Sequence, residues 1–272
     1  MSAGAEWERL LREAPIEVEG VLRDASNLTL KVTLGDGEGG TAGAAVYKPV
    51  RGERPLHDFP TGTLAGREVA AYLISAAGGW DLVPPTVLRD GPLGSGSVQW
   101  WIEQPEKPAA APGAGYLEVV VPEDLRPGWR PVLQAESPEG DPLLVVHAED
   151  PALASLAVFD AVINNADRKG SHLLRAAQDR LWGVDHGVSM HREDKLRTVL
   201  WGWAGEQLPE TELASLRRVL GALDDYSWCA ELLSVVSEEE VAALSLRVAH
   251  LVEAGTFPLP PAERYPLPWP LW

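Results

Sequence analysis

Asn164-Asn165-Ala166-Asp167-Arg168-Lys169-Gly170-Ser171-His172 (NNADRKGSH) is the most informative stretch of the chain. It follows an apolar run and precedes a short strand-like pair, Leu173-Leu174. Further on comes Gly183-Val184-Asp185-His186-Gly187. Each stretch sets an Asp beside polar groups at the end of an apolar segment. In phosphoryl transfer two such aspartates divide the work. One accepts or orients the proton of the attacking hydroxyl, and the other holds Mg²⁺ on the nucleotide phosphates. Gly187 lets the backbone turn sharply beside a bound ion. Taken singly, either Asp also reads as a helix or turn cap.

Outward from this stretch, the half of the chain that contains it reads as mostly helical. Leu153, Leu156, Phe159, Val162 and Ile163 have helical spacing, with Asp150 as cap and Pro151 at the first helical position. More helices are expected over 209–221, 225–235 and 237–254, the last opened by a capping box of Ser237 with Glu240. The Pro- and Trp-rich tail, 257–272, is expected to be extended. It is expected to pack on its own protein, because exposing so much aromatic surface is unfavourable.

The other half reads as strands around one helix. Residues 16–22 (IEVEGVL) and 28–34 (LTLKVTL) alternate apolar and polar side chains, joined by a polar turn over 23–27. A glycine cluster at 35–40 makes a second turn. Residues 44–50 then form a third strand that ends at Lys48-Pro49, where proline stops regular pairing. Residues 51–61 are irregular. A helix is expected over 64–77, with a stripe of Leu64, Val69, Tyr72, Leu73 and Ala76, closed by Gly78-Gly79. Residues 83–88 and 98–102 read as two more strands. A Pro/Ala/Gly-rich break at 104–115 is the best boundary in the chain, and short strands are expected at 116–121 and 143–147. This order makes an α+β lobe followed by a helical one. Lys48, at a strand end, can reach α- and β-phosphates and be held by a helical carboxylate, for which Glu68 is suitably placed. Alone, each also reads as an exposed surface residue.

Composition bounds the function classes. The 272 residues are 45% hydrophobic and 23% charged, which is the composition of a globular protein. A chain of this length buries a core without disulfides or structural metal. The single Cys229 excludes an intramolecular disulfide and a Cys-cluster zinc site. A net charge of −17 argues against general nucleic-acid binding and adhesion to anionic membranes. A few local cations can still hold a small anionic ligand. No 18-residue apolar run marks a membrane span, and the charged residues 1–12 do not read as a signal peptide, so the cytoplasm is the expected location.

Taken together, these residues resemble a known family. The order of strand, polar turn, strand, strand-borne Lys, helical Glu, Pro/Gly break, Asn-x-Asp-Arg and Asp-His-Gly looks like the atypical kinases related to phosphatidylinositol 3-/4-kinases and to HipA-type bacterial kinases. More closely, the chain is similar to an actinobacterial phosphatidylinositol 3-/4-kinase-like family. Residues 162–172 (VINNADRKGSH), 183–186 (GVDH) and 194–205 (DKLRTVLWGWAG) carry the match, which runs over about 16–255. The resemblance implies a two-lobed, protein-kinase-like α+β fold, with a strand-rich lobe over 1–103 and a mostly helical lobe over 104–272. ATP with Mg²⁺ or Mn²⁺ would sit between them. Lys48 would contact the phosphates and Glu68 would hold it. Ser26 and Asn27 would lie over the phosphates. Ile102 and Glu103 would meet adenine at the hinge. Asp167 would be the catalytic aspartate, and Asp185 would bind the metal. Related kinases carry Asp-Arg-His-x-x-Asn, whose final Asn is a metal ligand. Here Lys169 takes the His position and His172 the Asn position, and imidazole suits Mg²⁺ less well than oxygen does.

The implied activity is phosphate transfer from ATP to a hydroxyl of a protein or a small molecule. The inositol lipid ranks last, because no basic membrane-facing stretch is present. His172 motivates a second reading, a nucleotide-binding protein without turnover or one that transfers AMP. A third reading gathers Asp160, Asp167, His172, Asp185, His186 and His191 into a hydrolase metal cluster. It has no HExxH-type pair and leaves Lys48 and Glu68 unexplained. Residues 195–205 sit where kinases place an activation or acceptor loop, while Trp201 and Trp203 read as core.

Overall fold

The computed structural model describes residues 3–22, 26–104, 113 and 115–272. The turn expected over 23–27 therefore lies partly outside the described residues, as does most of the break at 104–115.

The chain opens with a helix, α1 (Ala3–Glu13), and continues into β1 (Ile16–Val21), β2 (Leu30–Gly35) and β3 (Thr41–Pro49). Helix α2 (Leu64–Gly78) follows, then β4 (Thr86–Gly91) and β5 (Gly94–Trp100). These five strands make one antiparallel sheet in the order β1-β2-β3-β5-β4. β3 ends at Pro49, as its missing N–H requires. The alternating residues Leu30, Val32 and Leu34 of β2 point inward with Ala45, Tyr47, Val87 and Val98. Helix α1 closes this cluster with Leu11, and its Trp7 stacks on Trp100 at 5.3 Å. The first fifty residues read as strands from sequence alone, so α1 is a correction. Trp7, Leu10, Leu11 and Ala14 have the spacing of a helical stripe, but the surrounding charges concealed it.

A second sheet of three strands, in the order β6-β8-β7, comes next: β6 (Leu117–Val120), β7 (Trp129–Glu136) and β8 (Pro142–Ala148). No strand is expected over 129–136 from the sequence, so β7 is a further correction. The structure accommodates Pro131 on an edge strand beside a register shift between Pro131 and Leu133. Helix α3 (Pro151–Ile163) follows, capped by Asp150 through the N–H groups of Ala152 and Leu153. The short strands β9 (Leu173–Arg175) and β10 (Leu181–Gly183) form a hairpin, and α4 (Glu210–Leu223), α5 (Tyr226–Leu233) and α6 (Glu238–Ala254) complete the helical part. The Ser237–Glu240 capping box opens α6 as expected.

The larger apolar cluster joins α3, α4, α6, the base of α2 and the tail. Trp201 and Trp203 are buried in it, and Leu267 and Leu271 of the extended tail pack onto it. Helix α2 joins this cluster through Ala70, Ala71 and Ile74 and also packs along β4 and β5 of the five-stranded sheet. Its Gly66 lies so close to the Val235 carbonyl that a Cβ there would sit 2.4 Å from the oxygen, and this contact seats the helix against the loop before α6. Arg67 of the same turn is buried and donates to Ser189 O at 2.6 Å and to Glu240 Oε1 at 2.5 Å. Among the described residues, no helix is long and apolar enough to cross a membrane.

Candidate functional site

Four elements converge on one cleft: β3 with Lys48, α2 with Glu68, the segment after α3 with Asp167, and the turn after β10 with Asp185. The Lys48 ammonium pairs with Glu68 Oε1 and lies 2.9 Å from Asp185 Oδ1. Glu68 is almost fully buried, and its second oxygen accepts from the backbone N–H of His186 at 2.9 Å. One carboxylate therefore fixes both the strand-borne cation and the backbone beside Asp185. Burial works to lower the Lys48 pKa, but the charges of Asp185 and Glu68 outweigh it and hold the ammonium above its ordinary value. The Lys48 charge in turn holds the half-exposed Asp185 carboxyl well below the usual carboxylate range.

Asp167 sits in an irregular segment that is held by its neighbours. Asn164 ends α3 in the left-handed conformation, and its side chain ties the loop to His191 O, Glu193 O and Lys195 N. Asn165 Oδ1 accepts from Asp167 N at 3.0 Å, and Asn165 Nδ2 donates to Asp160 Oδ1 at 2.9 Å. Neither Asn is among the residues lining the cleft. Lys169 Nζ lies 3.0 Å from Asp167 Oδ2. Burial raises the Asp167 pKa, and the Lys169 contact opposes this.

Beneath Asp167 is a fully buried pair, Arg168 with Asp160. Arg168 Nε and Nη2 donate to the carboxylate at 2.9–3.1 Å, Nη1 donates to Val184 O at 3.0 Å, and Nη2 lies 2.7 Å from His186 Nε2. Thr198 Oγ1 and Asn165 complete the shell of Asp160. The guanidinium thus ties α3 to both aspartate-bearing segments. Asp160 was visible as an acid inside an apolar helical run, which is the signal of a buried partner.

His172 Nε2 lies 3.3 Å from Asp185 Oδ2, and its Nδ1 accepts from Lys169 N at 3.4 Å. Burial pushes the His172 imidazole down to about 4. His147 on β8 is also buried, accepts from Gly202 N at 3.0 Å and is pushed down to about 4 by burial. Because both folded values lie below the ordinary histidine value, the unfolded chain binds the extra protons. The stability they hold is complete above about pH 6.5 and is lost as pH falls toward about 4. Urea denaturation at pH 5 should therefore show roughly 2 kcal/mol less stability per histidine than at pH 7. Equal stabilities at the two pH values would contradict this.

Of the residues singled out from sequence, Ser26, Asn27, Lys48, Glu68, Asp167 and Asp185 line this one cleft, and His172 touches Asp185. Asn27 Oδ1 accepts from Arg54 N at 2.8 Å, which folds the first turn against the segment after β3. Ile102 and Glu103, just beyond β5, are not among the lining residues. The irregular segment 51–61 adds Glu53, Arg54 and Leu56 to the wall. Only the tertiary path brings it there, so no local pattern marks it. Its Asp58 also lies 2.8 Å from Lys195 Nζ, which ties it to the segment after Asp194. The hydrolase cluster is not assembled. Asp160 is taken up by Arg168, and His191 lies against Phe59 and Asp58 O. Among the described residues, no three His, Cys, Asp or Glu side chains converge as metal ligands. Mg²⁺ takes one or two carboxylates, with phosphate oxygens and water filling the remaining positions. The half-exposed Asp185, facing the same cleft as Asp167, meets that requirement.

No family model matches the chain. It is 43% identical over 266 residues to protein Rv2133c of Mycobacterium tuberculosis, a match that covers 96% of this chain and 94% of that protein. Among solved structures, the Helicobacter pylori proinflammatory kinase CtkA is similar with a TM-score of 0.45 and 11% identity, over 91% of this chain and 94% of that one.

Proposed function

The chain belongs to the family of the Mycobacterium tuberculosis protein Rv2133c, and we propose that its cleft makes it an ATP-dependent phosphotransferase of the two-lobed, phosphatidylinositol-kinase-like type. In this reading residues 1–103 form the phosphate-binding lobe and 104–272 the catalytic one. The observation that carries it is Lys48, held by Glu68 and paired with Asp185, in one cleft with Asp167. Four residues from four elements in this relation match what phosphoryl transfer requires, positioning and charge neutralisation.

Lys48 is poised to turn from Asp185 to the nucleotide phosphates while Glu68 keeps hold of it. Ser26 and Asn27 cover the phosphates. Ile102 and Glu103, just beyond β5 and outside the lining described above, would reach the base where the cleft extends past Lys48. Asp185, with His172 beside it, holds the divalent cation. That cation, when bound, neutralises charge building on the transferred group. Asp167 accepts and orients the acceptor hydroxyl. Its raised pKa makes it a better proton acceptor than an ordinary aspartate. The acceptor is a hydroxyl of a protein or a small molecule.

Calorimetry with ATP and Mg²⁺, then Mn²⁺, tests the reading. Metal-dependent binding is expected, and Asp185→Ala should weaken it at least about tenfold, the loss of one charge-assisted contact. Absence of binding with either metal would sink the proposal. The imidazole beside Asp185, where an oxygen ligand is usual in related kinases, favours a second reading: nucleotide binding without turnover, or AMP transfer. Label from γ-labelled ATP on the acceptor supports the kinase, label from α-labelled ATP supports AMP transfer, and no label supports the binding protein.

A further inference from the structure

A second pocket lies away from the cleft, under the tail. It has a volume of about 330 Å³ and is walled by α6 (Leu246, Arg247), the tail (Leu259, Arg264) and the segment carrying Asp194 and Trp201. Three features set it apart from a gap in packing.

The first is cationic. Arg247 spends Nε on Val162 O at 3.1 Å and Nη1 on His191 O at 3.3 Å, which leaves its buried Nη2 without an acceptor. Arg264 has both Nη atoms buried and without a hydrogen-bond acceptor. Its Nη2 is 2.9 Å from Asp194 Oδ1, close enough for an ion pair but off the line of an N–H bond. Burial pulls the Arg247 guanidinium down to about 10, against the opposing charges of Asp194 and Glu240. Buried donors of this kind are rarely left unmet.

The second is apolar. Trp201 forms part of the wall, while Leu246 and Leu259 stand at the rim with 73% and 72% exposure. Two exposed leucines on the wall of one pocket are apolar surface that an apolar ligand body covers. The third is charge balance. Two guanidinium groups meet one carboxylate, Asp194. Glu240 is already held by Arg67, and His250 is the other titratable group of the wall. One negative charge is missing, so a monoanion fits and a dianionic phosphate would face Asp194.

We propose that this pocket is a binding site for a small amphipathic monocarboxylate, its head on Arg247 and Arg264 and its apolar body over Leu246, Leu259 and Trp201. The site does not depend on the activity assigned to the cleft. Carboxylate oxygens supply the acceptors that the guanidinium groups lack, and the planar guanidinium matches them in shape.

Octanoate serves as the probe, with octan-1-ol as the apolar body without charge and inorganic phosphate as the anion without body. Binding is read by calorimetry and by the indole N–H resonance of Trp201, whose Nε1 donates to Pro266 O at 2.9 Å beside the pocket. Octanoate should bind, with octan-1-ol and phosphate each at least about tenfold weaker. Arg264→Gln and Arg247→Gln should each weaken octanoate about tenfold. Because Arg247 also holds two carbonyls, its variant can fail to fold. Arg264→Gln and the rim variant Leu259→Asp, which should also weaken octanoate, then decide the matter. Octan-1-ol binding as well as octanoate would reduce the pocket to an apolar hole and overturn the proposal. So would phosphate binding as tightly, octanoate affinity indifferent to Arg264→Gln, or no octanoate binding at all.

Discussion

Asp167→Asn is expected to lower transfer of the γ-phosphate by about 10²–10⁴-fold, the range for losing a positioned general base. Nucleotide affinity should stay within about threefold of the parent value, because an interaction used mainly in the transition state lowers kcat and not binding. The substitution is nearly isosteric. The backbone N–H of residue 167 keeps its bond to Asn165 Oδ1, and the loop keeps its ties to Asp160 and Lys195. The lost elements are the proton-accepting oxygen and the charge that Lys169 neutralises. The comparison therefore separates chemistry from binding. Single-turnover assays with γ-labelled ATP, alongside calorimetry, measure both quantities. Unchanged transfer in Asp167→Asn would remove this residue from the catalytic role and with it the proposed mechanism. Loss of ATP binding in the same variant would instead move Asp167 into nucleotide binding.

The second large effect is structural. Arg168→Met should destabilise the protein by about 3–5 kcal/mol, the usual result of removing one partner of a buried ion pair. The size follows from what is left behind. Asp160 and Arg168 are both inaccessible to solvent, and the carboxylate would remain charged in an apolar helix with only Asn165 and Thr198 as donors. Carbonyl 184 would lose a donor as well. A double variant, Asp160→Leu with Arg168→Met, should recover part of the loss, since it removes the stranded charge. Urea denaturation reads all three proteins. A single variant within about 1 kcal/mol of the parent would show that water or a neighbour satisfies Asp160, contrary to the packing described here.

Sequence reading was dependable where the signal was local. Asp150 before Pro151, and Ser237 three residues before Glu240, mark helix starts through contacts within one turn, and both caps are formed. Lys48 and Pro49 stand at the end of β3, an interior strand of its sheet, where a proline without an N–H cannot carry the ladder further. Reading failed where a tertiary environment overrides the local pattern. β7 goes unmarked in the sequence, and it carries Pro131 within the strand, which an edge beside a register shift tolerates. The charges of α1 hid a stripe that becomes visible once Leu11 and Trp7 meet the sheet. In the site, the residues with unusual chemistry in short motifs were legible: Asp167, Asp185, Lys48 and Glu68. Glu53, Arg54 and Leu56 were not, since ordinary residues in an irregular segment become a cleft wall only through the chain path. Arg168 stands in the same motif, but its bond to Asp160 depends on how α3 meets the loop, which no local pattern carries.

The backbone of Asp185 imposes one more condition on the chain. Its φ of 61° lies in the left-handed region, which most side chains enter only at a cost of roughly 1–2 kcal/mol. Glycine enters freely, and asparagine and aspartate enter more easily than the rest. The position thus filters substitutions twice, once by conformation and once by charge. Glycine and asparagine pass the first filter and fail the second, while glutamate keeps the charge but is poorly suited to the backbone. No single replacement passes both. In the space of neighbouring sequences this position is a dead end for gradual change, and a descendant that lost the aspartate would lose the Lys48 contact in the same step. A retained backbone turn at this point would then record ancestry, and a retained carboxylate would record use.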